Sequence, residues 1–310
     1  MHTRRNFLSA SSSLAVMLAL APLGRGASAG GQSSDAMLAT RAIPSTGEKL
    51  PVIGMGTSGS FEVSEGTPEY DALREVLKTF FAGGGTVIDT APTYSVAEDV
   101  LGPLLAQQNL RPKAWLATKL SGVSGREAGL AQFNGSLKSL QTDKVELLQV
   151  HNLGDLKTQM ALCRELKAEG KTRYTGITHY LEHAHDDLAD AVEAEKPDFL
   201  QINYSVVARG AEKRLFPLAS DLGVAVIINR AFEDGKLFAR VKDKQLPDWA
   251  ADAGITSWAQ AFLKFALSNP AVTIVIPATG KPHRQADNLK AGVGPDLTEE
   301  QRASLIAALA

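Results

Sequence analysis

Three apolar runs in the sequence end in residues able to move a proton. Val87-Ile88-Asp89-Thr90-Ala91-Pro92-Thr93-Tyr94 closes one, Leu116-Ala117-Thr118-Lys119 a second and Leu147-Leu148-Gln149-Val150-His151 a third. A carbonyl that receives hydride builds charge on its oxygen, so a donor must stand there. A phenol, with a pKa of ~10, is too weak an acid at neutral pH unless its surroundings tune it. An adjacent ammonium favours the phenolate, and a carboxylate keeps that ammonium charged and in place. A histidine beside them can hydrogen-bond and orient the substrate oxygen. Taken singly, each residue has an ordinary explanation: a loop-capping Asp89, a snorkelling Lys119, a packed Tyr94, a satisfied core His151. Their recurrence at successive run ends favours one shared site.

Such a site needs elements that bring the run ends together. Short β-branched or apolar runs alternate with amphipathic helical patterns along the chain. Candidate strands are 52–56, 86–89, 114–118, 145–150, 174–178, 199–202, 224–228 and 272–276. Between them, Thr67-Pro68 starts a helix that carries an apolar stripe of Leu73, Val76, Leu77, Phe80 and Phe81 and stops at Gly83. Further helices are expected over 156–169, over 211–222 and around Trp258, Phe262 and Phe265. Strand runs that are apolar throughout suit a parallel sheet buried on both faces. Eight strand–helix units fit a closed (β/α)₈ barrel, an α/β TIM-barrel architecture typically of ~250 residues, whose strand C-terminal ends meet at one mouth. A doubly wound open sheet competes. Gly54-Met55-Gly56-Thr57-Ser58-Gly59 has dinucleotide-motif spacing but runs into 61–66 rather than into a helix. Residues 41–50, with Thr46-Gly47 at the turn, suggest a small hairpin closing the barrel bottom.

The chain has 310 residues, with 32 Lys plus Arg against 34 Asp plus Glu, 44% hydrophobic residues and 21% charged. That balance describes a globular chain able to bury a large core, and it gives no basic field for nucleic acid. One Cys, Cys163, can form neither an intramolecular disulfide nor a thiolate zinc site; it is expected in a helix core. His179, His183 and His185 match no zinc spacing, and no metal is expected. At the N-terminus, Thr3-Arg4-Arg5-Asn6-Phe7-Leu8 precedes a short apolar run, 14–23, and an A-x-A site at Ala27-Ser28-Ala29. The run falls well short of the ~20 residues a membrane span needs, so no stable membrane insertion is expected. The pattern resembles a twin-arginine (Tat) signal over residues 1–29. It implies a Tat translocon as transient partner and a periplasmic or otherwise exported location. A polar linker, 30–39, then leads to one domain over 40–310.

Asp89-Thr90-Ala91-x-x-Tyr94-x-x-x-Glu98-x-x-Leu101-Gly102, followed by the Thr118-Lys119 and Leu148-x-x-His151 strand ends, resembles the signature of the aldo-keto reductase family. The likeness runs over residues 41–290. It implies a TIM barrel, a nicotinamide cofactor bound without a Rossmann domain and a catalytic tetrad of Asp89, Tyr94, Lys119 and His151. Ser95 stands where the family usually has Gly, and Glu98 reads as a helix-start carboxylate. The loop after the last strand, Ile276-Pro277-Ala278-Thr279-Gly280-Lys281-Pro282-His283-Arg284, leads into a helix at the usual barrel phosphate site. The resemblance places Thr279 and Arg284 on an adenosine 2′-phosphate, with Pro277 and Lys281 beside them and Asp287 and Asn288 near the adenine. This favours NADP over NAD. The resemblance also assigns nicotinamide contacts to Gln201 and, where Ser-Asn is usual, to Thr178 and His179. Asn229 falls where an aromatic usually stacks on the ring, and Arg230 is placed to grip the pyrophosphate. The reading is an oxidoreductase that interconverts an aldehyde or ketone with an alcohol. Its alternative is a non-catalytic or regulatory NADP-binding barrel, which Asn229 and export would suit. Trp249 falls in a long segment where a substrate lid could sit.

Overall fold

A computed structural model describes residues 37–309. The expected signal, 1–29, and most of the expected linker lie outside the described residues. A short antiparallel pair comes first, β1 (Thr40–Ala42) with β2 (Lys49–Pro51). Eight parallel strands follow: β3 (Met55–Gly56), β4 (Val87–Asp89), β5 (Trp115–Leu120), β6 (Val145–His151), β7 (Thr172–Thr178), β8 (Phe199–Asn203), β9 (Ala225–Asn229) and β10 (Val272–Val275). They pair in sequence order. Bridges Ile53–Val275 and Gly56–Ala278 then join the first to the last, so the sheet closes into a barrel rather than remaining an open one. Helices cover its outside.

Closure sorts side chains by the two-residue period of a strand. One set points inward: Val87, Trp115, Ala117, Leu147, Tyr174, Phe199, Ala225, Ile227, Ile274 and Ile276 form a cluster with Ile43 and Leu50 from the antiparallel pair. Trp115, Tyr174 and Phe199 pack ring on ring there, with centroids 5.4–6.0 Å apart. The other set points outward into a larger core shared with the helices.

The helices follow their local signals. Pro68–Ala82 begins where the Thr67 side chain accepts the Tyr70 N–H, and it buries Leu73, Val76, Leu77 and Phe80. Leu156–Ala168 holds the buried Cys163, whose thiol burial pushes up to about 12, an inert core residue. The helix expected over 211–222 is split into a 3₁₀ turn, Gly210–Glu212, and a helix, Leu215–Leu222. Trp249 does not form a lid. Its Nε1 donates to Ser304 Oγ at 3.1 Å on the C-terminal helix, Glu299–Leu309.

Candidate active site

The inward set of side chains turns polar at the C-terminal end of the barrel. Two residues beyond the apolar Val87, Ala117, Leu147, Phe199 and Ile227 come Asp89, Lys119, Gln149, Gln201 and Asn229. Because side chains alternate every two residues along a strand, these five point inward like the apolar set and lie above it towards the strand C-terminal ends. His151 is a further step up β6. Polar groups buried above an apolar floor lose water, so they must pair with one another.

They do so around Asp89. Lys119 Nζ donates to Asp89 Oδ2 at 2.7 Å and to the Thr90 carbonyl at 2.7 Å. Gln201 Nε2 donates to Asp89 Oδ1 at 2.7 Å, and Gln149 Nε2 reaches the same oxygen at 3.3 Å. Gln149 has room because Gly176 faces it: a Cβ there would come within 2.8 Å of Gln149 Cγ. Both ends of the Gln201 amide are engaged, since its Oε1 accepts from Thr178 Oγ1 at 3.0 Å. Lys119 is fully buried and yet charged: burial works against the ammonium, but Asp89 and then Tyr94 outweigh it and raise its pKa.

Tyr94 is delivered by the turn after β4 rather than by a strand, with its ring centroid 4.9 Å from Lys119 Nζ and 6.0 Å from the His151 ring. Burial holds the phenol above its ordinary value; Lys119 pulls it back and Asp89 pushes it up again. The expected net lowering by Lys119 is therefore not what the site shows. Desolvation is the larger effect, and the ammonium offsets only part of it. Burial, the Lys119 charge and His179 together push His151 down to about 3, so the ring is neutral. Its Nδ1 lies 2.5 Å from Ser121 Oγ, which is 2.9 Å from Thr93 Oγ1.

Tyr94, His151, Asp89 and Gln201 open onto a cleft of about 920 Å³ at the strand C-terminal ends. Asn229, Arg230, Pro277, Thr279, Lys281 and Arg284 line the same cleft. Asn229 Nδ2 donates to the His179 carbonyl at 3.3 Å, while its Oδ1 is buried without a partner. Arg230 has positive φ, +53°, pairs with Asp234 and donates to the Tyr180 carbonyl at 3.2 Å. Four other expected contacts do not line it. Thr178 is buried beneath Gln201, and His179 stacks on Tyr180 with centroids 5.6 Å apart. Asp287 accepts from Ser257 Oγ at 2.5 Å and Gln260 Nε2 at 2.6 Å, which ties it to the helix Trp258–Leu267; Asn288 is buried. The outer wall carries residues the sequence did not single out as site residues, Val63, Tyr180, Phe232 and Phe238 among them. Glu98, a first-turn carboxylate as expected, is buried and accepts from Thr118 Oγ1 at 2.5 Å. Gln149 and Ser121 also belong to the site, and the two-residue step from Leu147 and from Lys119 is the sequence signal that points to both.

A family model described as Aldo/keto reductase family matches residues 52–310. Aldo-keto reductase YhdN of Bacillus subtilis is 26% identical over 217 residues, 65% of this chain and 64% of its own length. Glyoxal reductase of the same organism is 27% identical over 246 residues, 78% of this chain and 83% of its own. An aldo-keto reductase from Klebsiella pneumoniae, solved in complex with NADPH, superposes with a TM-score of 0.71 at 27% identity, covering 85% of this chain and 92% of that one.

Proposed function

We propose, for a chain that belongs to the aldo/keto reductase family, an oxidoreductase that reduces an aldehyde or ketone to the alcohol, or runs the reverse, with NADPH preferred to NADH. The observation that carries this is the Asp89–Lys119–Tyr94–His151 cluster opening on the cleft. The cleft also suits the cofactor. Lys281 and Arg284 are exposed at the start of the helix Pro282–Lys290 and have no carboxylate partner among the described residues. Asn229 Oδ1 is a buried acceptor without a donor. Arg284, Thr279 and Lys281 would hold the phosphates, with Arg230 on the pyrophosphate and Asn229 and Gln201 near the nicotinamide.

The nicotinamide supplies or takes up the hydride when bound. The chain's own residues handle the oxygen. Tyr94 delivers a proton to the developing alkoxide, which would otherwise be left charged in a site short of water. The Lys119 charge stabilises the phenolate that remains, and Asp89 keeps that charge in place. Gln149 and Gln201 bind the other carboxylate oxygen, which holds Asp89 in position. His151, its pKa pushed down to about 3 by burial and by Lys119, orients the carbonyl as a neutral ring, by a hydrogen bond and without adding charge. The purified chain should oxidise NADPH only when a carbonyl substrate is added. Binding of NADPH without turnover across a broad carbonyl panel would favour the non-catalytic alternative.

We also propose that residues 1–29 direct export by the twin-arginine route, on the strength of Arg4-Arg5, the short apolar run and the Ala27-Ser28-Ala29 site. Replacing Arg4 and Arg5 by Lys should retain the precursor inside the cell; unimpaired export would exclude the route.

A further inference from the structure

We infer that Ser121 is a positioning residue that selects the tautomer of His151 and so decides that a ring N–H faces the substrate oxygen. The inference rests on the carbonyl chemistry proposed above. Ser121 Oγ stands between two partners, His151 Nδ1 at 2.5 Å and Thr93 Oγ1 at 2.9 Å. A hydroxyl has one proton, and with the Ser121 proton used on one of these two partners the chain runs in one of two directions. In one, Thr93 donates to Ser121, Ser121 donates to Nδ1, and the single proton of the neutral ring sits on Nε2. In the other, Nδ1–H donates to Ser121, Ser121 donates to Thr93, and Nε2 is bare. A carbonyl oxygen gathering charge needs a donor, which only the first direction provides.

The serine is held for this task. Gln132, on the helix Arg126–Ser139, spends both ends of its amide on the Ser121 backbone: its Oε1 accepts the N–H at 2.7 Å and its Nε2 donates to the carbonyl at 2.8 Å. Ser121 is 6% exposed, so water has little access to compete for its hydroxyl. The run joins Thr93, Ser121 and His151. Thr93 immediately precedes Tyr94, and Ser121 follows Lys119 by two residues, so the backbone that carries the proton donor and the ammonium also places this run. A histidine whose second nitrogen is tied in this way has its ring plane and tautomer set together.

The test reads the imidazole directly. Nitrogen-15 spectra of labelled full-length protein, with His151→Gln to assign the signals, should show His151 protonated at Nε2 and accepting at Nδ1. In Ser121→Ala the ring should shift towards the Nδ1–H form. With NADPH affinity unchanged, kcat/KM for a carbonyl substrate should fall about 3–10-fold, the worth of one lost hydrogen bond. Ser121→Thr, which keeps the hydroxyl, should restore the Nε2–H signal. Wild-type protein with Nδ1 protonated, or an unaltered tautomer in Ser121→Ala, would overturn the assignment. If Ser121→Ala does not fold, Thr93→Val at the exposed end of the chain removes the upstream donor and is read in the same way. A wild type that reduces no carbonyl, yet changes tautomer in Ser121→Ala, would sink the catalytic reading and leave the role of Ser121 intact.

Discussion

At the scale of single residues, chemistry here depends on a contest between burial and charge. Tyr94 loses more from desolvation than Lys119 returns, so the phenol keeps its proton, the form an acid must have before reduction. Tyr94→Phe removes that proton and keeps the ring. Turnover should then fall about 10²–10⁴-fold, the usual worth of general acid catalysis, while NADPH affinity stays. Lys119→Met should also reduce turnover, by withdrawing the charge that stabilises the phenolate, and the double variant should lose far less than the product of the two defects. Steady-state kinetics beside cofactor titration checks both. Near wild-type turnover in Tyr94→Phe would exclude the mechanism. Lys119→Met leaves Asp89 buried without its cation and should lower stability as well, so its folding must be checked by thermal melting first.

At the scale of elements, each polar end of the barrel depends on a packed neighbour. Gly102, in the helix Ala97–Gln107, lies against the end of the next helix: a Cβ would come within 2.1 Å of the Ser139 carbonyl and 2.7 Å of Leu140 Cα. Backbone cannot yield as a side chain does. Gly102→Ala should cost about 1–3 kcal/mol or more despite its better helix propensity, seen as a lower thermal midpoint. An unchanged midpoint would mean that the helices part without cost. Helix Pro282–Lys290 carries a different assignment. Arg284→Ala should weaken NADPH by about 1.5–3 kcal/mol and NADH far less, because only the former has the extra phosphate for a guanidinium. Equal losses for the two cofactors would make Arg284 structural.

At the scale of the whole molecule, the buried site makes stability depend on acid. The folded value of His151, about 3, lies well below the ~6.5 of an unfolded histidine, so the folded chain resists a proton that the unfolded chain accepts. The contribution is therefore complete above about pH 6.5 and is lost as pH falls towards the folded value. His179 is lowered by burial and by its histidine neighbours and acts in the same sense. Denaturant midpoints of the wild type should drop as pH falls below ~6.5, and His151→Gln should flatten that slope. Parallel slopes for the two proteins would show that His151 is not buried neutral.

Local chemistry makes much of this molecule legible from its sequence. Apolar runs, the Thr67-Pro68 start and the Gly83 stop are decided within a few residues, and the predicted strands overlap the eight observed in the barrel. Asp89, Lys119 and His151 could be read as site residues because each stands at the end of an apolar run, and Tyr94 because it follows Asp89 at the spacing of the signature the sequence resembles. Other features depend on groups far apart in the chain. Gln201 meets Asp89 across 112 residues, and Asp287 is drawn away from the cleft by Ser257 and Gln260 on a neighbouring helix. The net shift of Tyr94 depends on how much water closure of the barrel removes, a property of the whole molecule. Periodicity and turn signals act locally, so the residues able to do the chemistry can be read from the chain alone. Which of them share a hydrogen bond depends on the fold, because that requires the distances left after every strand has taken its register in the closed barrel.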